Sequence, residues 1–172
     1  MNSENVSTGE RADLLQSMRT TRSFLRHTAR GLSDGDAARR TTVSELCVGG
    51  LIKHVTEVER RWASFIVEGP GAVAPSDDAS YEAYSQGFRM VDGETLAALL
   101  EQYERVAQDT DQLISSLPDL DRSHPLPEAP WFQPGARWSA RHTVLHIIAE
   151  TAQHAGHADI IRESLDGAKT MG

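Results

Sequence analysis

Cysteine is nearly absent from this chain: Cys47 is the only one among 172 residues. No internal disulfide can form, so packing alone must hold the fold, and a reducing cytoplasm is the expected compartment. Apolar runs long enough to span a bilayer are missing as well. The N-terminal stretch MNSENVSTGERAD lacks the apolar segment of a secretory signal, so neither a membrane nor export is expected. Positive charge is in deficit, with 17 Lys and Arg against 25 Asp and Glu and a net charge of -8. No basic stripe stands out to neutralise phosphates, which argues against a nucleic-acid partner. Internal repeats, low-complexity tracts and the alternation that marks strands are absent too.

Helical periodicity is what the chain does have. Leu14, Leu15, Met18, Thr21, Leu25, Thr28 and Leu32 recur at three- and four-residue steps from Gly9 onward, and Ser33-Asp34-Gly35 reads as the stop. The second helix is expected to open on a capping box, with Thr42 as N-cap and Glu45 reaching back, and to run to Gly69-Pro70-Gly71. Leu46, Gly50, Leu51, His54, Val58, Arg61, Trp62 and Phe65 mark its inner side. Gly49 and Gly50 inside it each cost about 1 kcal/mol relative to alanine, which implies close approach of a backbone or ligand. A connection over 69–92, carrying Tyr81, Tyr84 and Phe88, leads to a third helix from Asp92 or Gly93 to about Leu117. Its stripe is Leu96, Leu99, Leu100, Tyr103, Val106, Thr110, Leu113, Ile114 and Leu117. Residues 118–138 hold five of the seven prolines together with Trp131, Phe132 and Trp138, and are expected to fold back as a cap. A fourth helix follows to Asp166-Gly167. The organisation is one all-α four-helix bundle over 9–167, with long connections after helices two and three, a loose N-terminus at 1–8 and a loose tail at 168–172.

The fourth helix concentrates the chemistry. His146, Glu150, His154 and His157 follow at steps of four, four and three, so they share one stripe beside Val144, Ile147, Ile148, Ile161 and Leu165. Ionisable groups bordering an apolar face are costly unless paired or bound to metal. His54 sits between Leu51 and Val58 on the apolar side of the second helix. With Glu150 and His154 it would make a two-histidine, one-carboxylate set with positions left over for water or substrate. Spacing alone leaves this open against a satisfied core histidine and a solvated Glu-His pair. Cys47 stands about 10 Å from His54 along the helix axis and suits a buried structural thiol better than a ligand. Glu57 could orient the His54 ring, although solvated charges serve Glu57 and Glu59 equally well. Trp62, Trp131 and Trp138 read as core or cap. His27, His124 and His142 carry no assigned role.

Two stretches, Ser44 to Trp62 (SELCVGGLIKHVTEVERRW) and Arg137 to Gly167 with HIIAETAQHAGHADIIRESLDG, resemble the DinB/YfiT-like superfamily of four-helix metalloproteins. The nearer similarity is to its actinobacterial mycothiol S-transferase branch. Much of the superfamily uses one histidine of the second helix and an HxxxH pair of the fourth. The element His154-Ala155-Gly156 aligns with the second of that pair, which puts Glu150 in the first position, as in the mycothiol-dependent maleylpyruvate isomerase branch. The resemblance thus implies His54, Glu150 and His154 as metal ligands, with His157 nearby as proton carrier or ring-orienting neighbour. It implies a divalent metal (zinc first, then nickel, iron or manganese) and a low-molecular-weight thiol such as mycothiol as co-substrate. The implied activity is transfer of that thiol to an electrophile in detoxification, by a cytoplasmic homodimer. A metal-dependent hydrolase or isomerase using bound water, or a non-catalytic metal-binding stress protein, are the alternatives. Arg61 and Arg137 are candidate contacts for the body of the thiol.

Overall fold

The computed structural model describes residues 9–74 and 86–170; the expected loose N-terminus, Tyr81 and Tyr84 fall outside them. Four long helices dominate: α1 (Glu10–Thr28), α3 (Val48–Glu68), α4 (Leu96–Ser116) and α5 (Ala140–Asp166), with a five-residue α2 (Asp34–Ala38) after the first. The all-α four-helix reading therefore holds. Several boundaries do not. Ser33 does not end the first helix, which has already closed at Thr28; its hydroxyl accepts from the Asp36 N–H and opens α2 instead. Leu32 reaches the core from the intervening turn.

The expected capping box at Thr42 and Glu45 is not formed. Thr42 and Ser44 bond each other in a bend, and Glu45 turns out to pair with Arg89 at 2.7 Å. The cause is tertiary. The Thr41 hydroxyl donates to the Ile161 carbonyl, and the Ser164 hydroxyl donates to the Thr41 carbonyl, so this segment is tied extended along α5. Cys47 caps α3 in its place, its sulfur accepting from the Gly50 N–H at 3.4 Å. Cys47 is thus the buried structural thiol that its setting suggested. α4 begins at Leu96, later than expected, because Gly93 turns the chain at φ 87° and Thr95 is the cap.

One element left no trace in the sequence pattern. β1 (Ser123–Pro125) and β2 (Arg137–Ser139) form a small antiparallel sheet, with His124 opposite Trp138. Three residues per strand are too few to show alternation. His124 ties this hairpin to α3 through the Ile66 carbonyl at 3.2 Å, which gives a structural role to a residue assigned none.

α5 lies between α1 and α3, and α3 also packs on α4. The core falls into two apolar clusters. One gathers Leu25, Val48, Leu51, Ile52, Val55, Leu99 and Tyr103 around Ala155, Ala158 and Ile161. The other gathers Leu14, Leu15, Met18, Ile66, Ile114, Val144 and Ile147. Along each long helix a buried polar residue separates the two clusters: Arg22 on α1, Glu59 on α3, Thr110 on α4 and Thr151 on α5. Glu59 is therefore no solvated charge. It is fully buried and holds Arg22 in two bonds of 2.5 and 3.1 Å, and Arg22 reaches on to Asp111 of α4 at 2.7 Å. No helix among the described residues is long and apolar enough to cross a membrane.

Candidate metal centre

α3 and α5 meet where both are interrupted by polar side chains. One ligand atom from each of His54, Glu150 and His154 comes within 4.8 Å of the other two. Glu150 and His154 are neighbours by helix geometry, and the carboxylate lies 3.5 Å from His154 Nε2. His54 crosses from α3, its ring edge-on to that of His154 with centroids 4.8 Å apart. Cys47 does not belong to the group. Glu57 is exposed and paired with Arg60, so it does not orient His54.

Phe88 packs on His54 instead. Its ring stacks on the imidazole at 3.9 Å with 23° between planes. The Gly49-Gly50 pair makes room for this segment: a methyl on Gly50 would come within 1.9 Å of the Phe88 carbonyl oxygen. The close approach implied by two helical glycines is thus a backbone, and it seats an aromatic ring against a site residue. Gly50→Ala is expected to displace residues 88–90 and to cost about 1–3 kcal/mol of stability, read by urea unfolding.

His146 extends the stripe by one turn, its Nε2 4.0 Å from the Glu150 carboxylate. It also abuts Trp62 and Trp138, whose rings stack on each other at 4.8 Å. Sequence reasoning treated these tryptophans as packing only. The signal that pointed further was the i+8 step from His54 to Trp62 on the same face of α3. His157 touches the far side of His154, Nδ1 to Nδ1 at 3.4 Å. Arg61 spends its guanidinium on the Ala72 and Ala74 carbonyls, and Arg137 on Ser123. Both anchor loops.

The environment favours a neutral imidazole beside an ionised carboxylate. Burial first, and then the neighbouring His154, pull the His54 pKa down to about 4, against the opposing pull of Glu150. The Glu150 carboxyl is held below its usual range, chiefly by its hydrogen bond to His154. His146 is also lowered, by burial. At neutral pH His54 thus offers a lone pair while Glu150 offers a negative charge. Two imidazoles and a carboxylate are a donor set that zinc and its neighbours accept, with coordination positions to spare.

These pKa values have a consequence for the metal-free protein. An unfolded histidine takes up its proton near pH 6.5, the folded His54 only near 4. Stability is full above the first value and falls through the interval to the second, by about 3 kcal/mol. In chelator, His54→Gln should flatten the unfolding free energy between those two limits; an unchanged slope would show that His54 is not its source.

A family model described as mycothiol-S-transferase matches residues 13–167, nearly the whole chain. The chain belongs to the mycothiol-S-transferase family. Within the DinB/YfiT-like superfamily, the resemblance carried by the second and fourth long helices is therefore the right one. The solved structure of a conserved protein from Enterococcus faecalis is similar at a TM-score of 0.64, covering 94% of this chain and 100% of its own, at 10% identity. At that identity the likeness speaks to the fold. No curated protein matches the chain. The three converging side chains all fall within the matched residues.

Proposed function

We propose that this member of the mycothiol-S-transferase family is a divalent-metal-dependent transferase that joins mycothiol to a small electrophile. His54, Glu150 and His154 hold the metal. The observation that carries this reading is the approach of their ligand atoms to within 4.8 Å from two different helices. The ionised Glu150 carboxylate among these ligand atoms supplies a counter-charge for a cation held between the two helices. When bound, a divalent cation supplies the charge that lowers a thiol's pKa and makes the thiolate available near neutral pH.

The chain's own residues do the rest. His54 stays neutral and fixed under the Phe88 ring, so its nitrogen is presented without a competing proton. His157 acts behind His154. In the metal-free protein His154 Nε2 faces the Glu150 carboxylate as a donor. With metal bound, a hydrogen on His154 Nδ1 donated to His157 Nδ1 would leave Nε2 as a lone pair and so fix the tautomer the metal requires. That makes His157 a positioning residue, in place of the proton carrier that was the other expectation. In the transfer itself the thiol gives its proton to solvent and the sulfur–carbon bond forms. The carbon–leaving-group bond breaks, and its electron pair departs with the leaving group.

The test is turnover of mycothiol with a halogenated bimane, metal-loaded against metal-stripped. The reading expects a rate that disappears on stripping and returns with metal. His157→Ala should weaken metal affinity about 10- to 100-fold, while His157→Gln, which can still accept a bond, should restore part of it. Equal rates in loaded and stripped protein would rule out the metal-dependent transferase. Hydrolysis of an ester by the same metal-loaded protein, without thiol, would favour a bound-water hydrolase instead.

A further inference from the structure

All three tryptophans of the chain, Trp62, Trp131 and Trp138, stand in one cluster beside the candidate metal centre. The cluster begins at His146, whose Nε2 is 4.0 Å from Glu150 and whose ring lies 4.9 Å from that of Trp138. Phe132 meets Trp138 edge-on at 5.7 Å, and Trp131 meets Phe132 at 6.2 Å. The ladder therefore climbs from the carboxylate to the surface, and its outermost rung, Trp131, is 69% exposed. An indole left in water at the end of an aromatic series is more than core packing requires. Residues 129–136, Ala-Pro-Trp-Phe-Gln-Pro-Gly-Ala, carry no charge.

We propose that the rim formed by Trp131, Phe132 and Trp138 next to His146 binds the electrophilic substrate, and that this substrate is a flat, apolar aromatic molecule. The proposal rests on the transferase reading and supplies its second substrate. A ring system gains from offset or edge-on contact with these side chains and asks for no hydrogen bonds. A polyhydroxylated sugar thiol would find one amide side chain, Gln133, and no charged one along residues 129–136. A chloroarene activated by nitro groups has the required form. The thiol proton leaves to solvent, the sulfur–carbon bond forms on the ring, and chloride departs with the electron pair of the broken bond.

The tryptophans report the site themselves. 2,4-Dinitroaniline, which is flat but has no leaving group, should quench the fluorescence of the full-length protein saturably. Trp131→Ala and Phe132→Ala should each weaken that binding on the order of fivefold, the scale of one lost aromatic contact. In turnover both variants should raise the KM for 1-chloro-2,4-dinitrobenzene to the same extent. The KM for mycothiol and the metal content should stay unchanged. Quenching that does not saturate, or that both variants leave intact, would overturn the proposal. So would a raised KM for mycothiol with an unaltered quenching constant, which would make the rim the sugar's site. Saturable, variant-sensitive quenching without turnover of any electrophile would instead remove the transferase reading and leave the rim as an aromatic-ligand site.

Discussion

Glu59→Leu is expected to lower unfolding free energy by about 3–5 kcal/mol in urea titration. Glu59 is fully buried, and its two bonds to Arg22 join α1 to α3 between the two apolar clusters. Removing the carboxylate strands a guanidinium that is itself buried. Asp111, partly exposed on α4, keeps one bond to it, which places the expected loss toward the lower end of that range. The double variant Arg22→Met with Glu59→Leu should recover most of the loss, because replacing both partners removes the stranded charge and leaves Asp111 with Arg19 at the surface. A double variant no better than the single one would mean that the cost comes from lost packing instead of an unpaired charge.

His154→Ala is expected to abolish the dependence of melting temperature on added zinc. A ligand that binds only the folded chain stabilises it by RT ln(1 + [L]/Kd), or about 4 kcal/mol at a thousandfold excess over Kd. The intact protein should show that rise and lose it in chelator. The variant should melt at one temperature in both conditions. His154 is only partly buried, and it lies on the polar stripe of α5 and outside both clusters, so its removal should leave the metal-free fold nearly as stable as before. A zinc-dependent shift of undiminished size in the variant would remove His154 from the ligand set.

What the sequence disclosed depended on how local each signal was. Glu150 and His154 lie on one helix four residues apart, so their shared face follows from the pitch of that helix alone. His54 was recognisable because an imidazole between Leu51 and Val58 needs a partner. The α4 stripe from Leu96 to Ile114 gave its burial directly, since one amphipathic face has one way to pack. Cap positions were harder. Thr42 and Glu45 have the right spacing for a box, but the bonds of Thr41 and Ser164 across the bundle hold that segment extended, and Cys47 takes over. Glu59 could not be assigned because Arg22 is 37 residues away and no local pattern announces the pair. Phe88 sits in a connection without periodicity. Only the glycines beside its segment, Gly50 against Phe88 itself and Gly49 against Met90, hinted that something came close. The hairpin at Ser123–Pro125 and Arg137–Ser139 arises from docking on the end of α3, and three-residue strands carry no readable alternation.

The most direct measurement of the central claim is anomalous diffraction from crystals of the zinc-loaded protein at the metal's absorption edge. The account predicts one peak per chain between α3 and α5, about 2.0–2.2 Å from a nitrogen of His54, an oxygen of Glu150 and a nitrogen of His154. A peak bound elsewhere, or full loading with none of these three side chains turned toward the ion, would contradict it.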